Sequence, residues 1–175
     1  MPKPVCIGVI GANQTDEGNY AAAYELGKHI AGRGATLVCG GLGGIMEAAS
    51  KGAFEAGGTV IGILPGSEKR EANPYVTYSL PTGLGIARNT LVVRLSDVLI
   101  AFPGGYGTLS EIALALACEK TVVYLPGTWD LKKIAPVDAA LFKEAFDPRH
   151  AIGVALGSLS AKTAAADVAV VSHVK

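Results

Sequence analysis

The chain carries no excess charge of either sign: Lys+Arg and Asp+Glu number 15 each in 175 residues. Without a cationic surplus there is no electrostatic footprint for nucleic acid and no polybasic patch for a membrane surface. No apolar stretch reaches the roughly 18 residues of a membrane span. The opening "MPKPVCIGVIGA" lacks the n-region and cleavage site of a signal peptide and reads as a first strand, so a cytoplasmic protein is expected. Cysteine is scarce. Cys6, Cys39 and Cys118 are far apart, form no CxxC, and are expected to be buried free thiols. His29, His150 and His173 are scattered and no HExxH occurs, so no protein-built metal site is expected. Also missing are GxxxxGK[ST], which excludes a P-loop NTPase, the GxSxG nucleophile elbow, and any internal repeat.

Half of the residues are hydrophobic, and they fall in alternating strand-like and helix-like segments. Apolar runs at 5–12, 35–41, 59–65, 97–103 and 121–127 read as strands, with a weaker one at 76–80. Helical patterns occupy 19–34, 44–58, 85–96 and 108–119, the first two closed by glycines. The stretch 127–150 fits no pattern, and "SAKTAAADVAVVS" near the end reads as a short helix and a strand. Continuous apolar strands indicate a sheet covered on both faces. The expected fold is α/β: a Rossmann-like, doubly wound, mainly parallel sheet of six to seven strands with helices on both faces, residues 1–175 forming one domain.

Ligands on such sheets bind beyond the carboxyl ends of the strands. Three glycine-bearing loops leave strands there: "GANQTDEG" from Gly11, "GGLGG" with Gly41, Gly43 and Gly44, and "PGGYGT" with Gly104, Gly105, Gly107 and Thr108. Neither "GGLGGIM" nor "GGYGTLS" fits GxGxxG, since Met46 and Ser110 stand at the last glycine place. Glycine permits a sharp turn and close approach, a helix N-terminus offers free N–H groups, and Thr108 adds a hydroxyl; together these suit a phosphate. Tight strand-to-helix packing is the other reading of such loops. Glu111 likewise has two readings. "TLSE" fits a capping box headed by Thr108. Alternatively Glu111 faces a ligand, away from the phosphate that would repel it.

Three segments carry a resemblance. "PGGYGTLSE" is similar to the PGGxGTxxE signature of the LOG (lonely guy) family, and "CGGLGGIMEAASKGA" to that family's second glycine loop. "GLGIARNTLVVRLSDVLIAFPGGYGTLSEIALAL" is closer to the short branch that includes molybdenum cofactor carrier proteins. The resemblance covers about residues 5–126. It implies that Gly104, Gly105, Gly107 and Thr108 hold a phosphate, that Glu111 faces a sugar, and that Arg88 matches an arginine of the family's phosphoribohydrolases. Asn89 stands where those enzymes have lysine, and Glu47 replaces a glycine; both departures fit the carrier-like branch. Without the family, Arg88 reads as a surface helix residue and Glu47 as a solvated one suited to a helix start.

Two functions follow from the resemblance. One is binding of a phosphorylated nucleotide-like or pterin ligand, with molybdenum cofactor as bound cargo and no protein ligand to the metal. The other is cleavage of the N-glycosidic bond of a nucleoside 5′-monophosphate, with Glu111 and Arg88 as catalytic groups; a carboxylate can stabilise its oxocarbenium-like transition state. An assembly module with a vestigial pocket is a third class. The family is often called "possible lysine decarboxylase", yet Lys51, Lys69 and Lys120 lie in no motif for a pyridoxal phosphate Schiff base. No catalytic cofactor is expected. The expected partner is a small phosphorylated molecule, and the apolar helix at 85–95 suits a homo-oligomer, a dimer or tetramer.

Overall fold

The computed structural model describes residues 4–127, 130 and 138–172. Its strands are β1 (Cys6–Ile10), β2 (Thr36–Cys39), β3 (Val60–Leu64), β4 (Tyr78–Pro81), β5 (Val98–Ala101), β6 (Val122–Tyr124) and β7 (Phe142–Glu144). They form one sheet in the order β4-β3-β2-β1-β5-β6-β7, every neighbouring pair parallel. The helices are α1 (Glu17–Gly32), α2 (Ile45–Glu55), α3 (Asn89–Leu95), α4 (Tyr106–Ala117) and α5 (Pro148–Ser172). This is the Rossmann-like α/β architecture expected from the alternating pattern.

Side-chain alternation along each strand builds two cores. Ile7, Val9, Leu37, Val98 and Ile100 pack with α1, α2 and α5 on one face. Ile10, Val38, Ile63, Leu99 and Ala101 pack with α3 and α4 on the other. Both faces of the central strands are covered, so their sequences show continuous apolar runs. The sheet grows outward from β1 in both directions. The chain leaves β1 toward β2, and it returns from β4 across the sheet to β5. Connections leaving β1 and β5 therefore diverge, and a crevice opens between them at the carboxyl edge.

Several local expectations change. The helix expected at 85–96 divides into a 3-10 turn, Gly85–Arg88, and α3. The helix and strand expected at 160–172 are one continuous piece of α5; the alanine-rich run carries the helix through "DVAVV" despite its valines. In the unassigned stretch, β7 and the start of α5 emerge, while 128–129 and 131–137 lie outside the described residues. Of the three free thiols only Cys39 is fully buried; Cys6 and Cys118 are half-buried. α1 starts at Glu17, ahead of the expected 19, and Asp16 caps it: its Oδ1 accepts the Asn19 N–H at 2.8 Å.

α1 and α2 cross in close contact, and glycines set the distance. A Cβ on Gly27 would strike the Ala49 carbonyl oxygen, and one on Gly52 the Tyr24 carbonyl oxygen. Each glycine sits inside a helix, where alanine is normally favoured by about 1 kcal/mol. Backbone overpacking costs about 1–3 kcal/mol, so the clash should win. Gly52→Ala is expected to lower the melting temperature by several degrees; an unchanged or raised value would contradict this packing.

Candidate functional site

A cavity of about 370 Å³ occupies the crevice between the loops after β1 and β5. Its floor is the end of β1, Val9 and Ile10, with Gly11, Ala12 and Asn13 beyond. Gly40, Leu42 and Met46 line one side, and Pro65, Gly85 and Ile86 another. Gly105, Gly107, Thr108 and Glu111 of the α4 segment close it together with Arg88 and Asn89.

The loops are fastened at Ala12. Its N–H donates to Pro103 O at 3.2 Å, and its carbonyl accepts the Ile45 N–H at 3.0 Å. Asn13 Oδ1 accepts the Gly43 N–H at 2.9 Å. Such close approach requires glycine nearby. A Cβ on Gly44 (φ +60°) would strike Ala12 O, and one on Gly11 would lie 2.8 Å from Ile45. Gly41 sits at φ +74°. A Cβ on Gly104 would collide with Thr108 Oγ1. These four positions thus have packing or backbone reasons of their own, and Gly41, Gly43, Gly44 and Gly104 do not line the cavity.

Gly105 and Gly107 are different. Gly105 has ordinary extended backbone (φ −94°), so the sharp turn expected there does not depend on glycine. A Cβ added to either residue would meet nothing within 4 Å. Neither fold nor packing requires glycine at these places, yet both border the cavity at the N-terminus of α4. The missing side chains leave room beside the backbone of the helix's first turn, where N–H groups have no intrahelical acceptor.

The capping box does not form. α4 begins at Tyr106 after Gly105, with no side-chain cap, so Thr108 and Glu111 lie inside the helix. Glu111 instead turns toward Arg88, whose Nη1 lies 3.4 Å from Oε1. Arg88 is not the surface residue its helical context suggested: it is 8% exposed. Gly40 makes this possible, because a Cβ there would strike the guanidinium and crowd the Met46 sulfur. Arg88 Nη1 also donates to Asn89 Oδ1 at 2.5 Å, while Arg88 Nε is buried without a partner. Asn89 Nδ2 donates to Ser110 Oγ at 3.0 Å and to Gly107 O at 3.3 Å, tying the arginine to the first turns of α4.

Glu47 stands outside the cavity in the first turn of α2, where a negative charge suits the helix dipole. The three lysines lie apart from the cavity lining. Lys120 Nζ donates to the carbonyls of Val93, Arg94 and Ser96 at the C-terminus of α3, Lys51 lies over the Tyr75 ring, and Lys69 belongs to an exposed 3-10 turn. Gly40, Met46, Gly85 and Ile86 also line the cavity; they lie within the quoted family segments but were not singled out there as site residues, and Pro65 lies in no quoted motif. Among the described residues no cluster of His, Cys, Asp and Glu could hold a metal ion, and no helix is long and apolar enough to cross a membrane.

Burial raises the Glu111 carboxyl to about 7, and Arg88 offsets only part of that rise. Its unfolded-state value is 4.5. Between these values the folded protein holds a proton that the unfolded chain has released, so this group makes stability fall as pH rises through the window. Glu111→Gln should remove that slope: wild type loses stability relative to the variant from pH 4.5 to 7 and no further above it. Parallel melting curves across the window would contradict the burial effect.

Comparison with known proteins fits this geometry. The Moco carrier protein of Chlamydomonas reinhardtii superposes with a TM-score of 0.81 at 43% identity, covering 91% of this chain and 99% of that one. The molybdenum cofactor binding protein of Rippkaea orientalis gives 0.81 at 38%, covering 87% and 95%. A probable cytokinin riboside 5′-monophosphate phosphoribohydrolase of Oryza sativa subsp. japonica, LOGL9, is 36% identical over 140 residues, 74% of this chain and 61% of that protein. The chain thus spans less than two thirds of that enzyme's length. A family model matches residues 4–166, which include all seven strands and every residue of the cavity: the chain belongs to the SLOG cluster4 family.

Proposed function

We propose that the protein is a cytoplasmic binding protein for a phosphorylated nucleotide-like or pterin ligand, with molybdenum cofactor as its cargo. The phosphate sits on the "PGGYGT" segment. The observation that carries this reading is the open space at Gly105 and Gly107, at a helix N-terminus that borders the cavity. The N–H groups of a helix's first turn and the helix dipole favour an anion there, Thr108 supplies a hydroxyl, and Arg88 supplies the one positive charge among the described residues of the lining. The cavity volume falls in the range of small-molecule sites, roughly 300–1,000 Å³. High identity over nearly the full length of two proteins named for molybdenum cofactor supports the cargo.

A second reading is favoured by one specific feature. Glu111 and Arg88 form an ion pair inside the cavity, which could act at a ribose in N-glycosidic cleavage of a nucleoside 5′-monophosphate. Release of free adenine from AMP, lost in Glu111→Gln, would support hydrolysis over carriage.

For the binding function, AMP should raise the melting temperature in a concentration-dependent way while adenosine does not; saturation at about 100 Kd corresponds to about 2.7 kcal/mol. Gly105→Val should fold with a near-wild-type melting temperature, because its backbone and surroundings admit a side chain. It should weaken AMP at least about tenfold, about 1.4 kcal/mol. Undiminished binding by this variant would remove the phosphate role of the loop, and no phosphate-dependent shift at all would leave an assembly module with a vestigial pocket.

The homo-oligomer belongs to the same proposal. Tyr78 and Leu80 share a sheet face with Ile61 and Ile63, and the short α3 leaves them exposed. Ile86, Leu91 and Leu95 are exposed on the neighbouring 3-10 turn and helix. A second copy would cover these apolar side chains. Light scattering should report a dimer or tetramer that Leu95→Glu dissociates; a wild-type monomer would contradict it.

A further inference from the structure

Among the described residues of the cavity lining, Arg88 is the one cation and Glu111 the one carboxylate, and they are paired with each other. Arg88 is unevenly engaged. Nη1 faces both Asn89 Oδ1 and Glu111 Oε1, while Nε is buried without an acceptor. Asn89 is held from its other end by Ser110 and Gly107, so the guanidinium has an anchor that does not depend on the charge of Glu111.

Gly105, Gly107 and Thr108 of the first turn of α4 line the same cavity as this pair, so an anion held there shares one enclosed space with Arg88 and Glu111. Two negative groups sharing one buried guanidinium repel each other, and leaving either without a counter-charge is costly. The buried Glu111 carboxylate has a way out that a bound sulfate lacks near neutral pH: it can take a proton. We propose that an incoming anion and Glu111 compete for Arg88, so that anion binding is coupled to the uptake of one proton from solvent by the Glu111 carboxylate. No other bond forms or breaks. The proposal rests on the anion-site reading above and names how that site is regulated.

The groups packed around Glu111 support a single-proton exchange. From the 3-10 turn comes Arg88, and from α3 the neutral Asn89. From β2 comes the Cys39 thiol, buried and pushed up by that burial, which keeps it neutral. α2 supplies Met46, and β1 with its loop supplies Ile10 to Asn13, none of them charged. α4 itself supplies Thr108 and Ser110. Glu111 already sits at about 7, so a neighbouring anion moves its titration upward from there, into the range above neutrality.

Sulfate is the suitable probe, because it has no titration of its own between pH 6 and 9. Calorimetry at pH 8 in buffers of different ionisation enthalpy should show close to one proton taken up per sulfate bound. From pH 6 to 8.5 the wild-type Kd should rise, by at most about tenfold per pH unit. Glu111→Gln, isosteric and uncharged, should bind without pH dependence and more tightly than wild type at pH 8.5. Zero proton uptake with pH-independent binding would overturn the exchange and leave the anion site standing. Parallel pH profiles of the two proteins, or weaker binding by the variant at pH 8.5, would also overturn the exchange. No binding to either protein at pH 6 would remove the anion site and the exchange together.

Discussion

The backbone of Ala12 is the constraint on which the rest of the site depends. Its N–H holds the loop after β5 and its carbonyl holds the start of α2, so three glycine loops are joined at one residue. Parallel strands deliver these loops to the same edge, but delivery alone would leave them splayed. The two hydrogen bonds bring the backbones so close that a side chain at Gly11, Gly44 or Gly104 would strike a neighbour. The crevice keeps its width because these contacts are made by backbone, which cannot rotate away as a side chain can.

That frame separates two kinds of glycine. Gly11, Gly41, Gly44 and Gly104 answer to packing or to a left-handed backbone, and they would be needed with or without a ligand. Gly105 and Gly107 answer to neither, and they lie where a helix N-terminus meets the cavity. Gly40 belongs to a third kind: its missing side chain gives room to the Arg88 guanidinium. Arg88 can therefore lie buried beside Glu111. The low-dielectric setting that raises the Glu111 carboxyl also makes the Arg88 charge matter more.

The sheet was legible in the sequence because burial on both faces leaves an unmistakable trace of unbroken apolar runs. Strand order was not, since it depends on which connection crosses the sheet, and "VTYSL" gives no sign that β4 closes one edge. The α5 valines misled because local β-propensity yields to a helix already extended by alanines. At the cavity, "PGGYGTLSE" is the segment that supplies Gly105, Gly107, Thr108 and Glu111 to the lining. It misplaced the helix start by two residues, and with it the capping box, because Gly105 and not Thr108 precedes the first turn. Arg88 was singled out by family likeness alone; its burial could not be read from "GIARNT", where nothing local reveals that Gly40 leaves room for it. Pro65 carried no signal, being an apolar residue that reaches the cavity only through tertiary packing.

The central claim is that the α4 N-terminus at the β1/β5 crevice anchors a phosphate. A crystal structure of the protein grown with saturating AMP tests it most directly. The account predicts the phosphate within hydrogen-bonding distance of the backbone N–H groups at 105–108 and of the Thr108 hydroxyl, with the rest of the molecule in the cavity beside Arg88. A phosphate bound elsewhere on the surface, or a cavity holding only solvent at saturation, would contradict it.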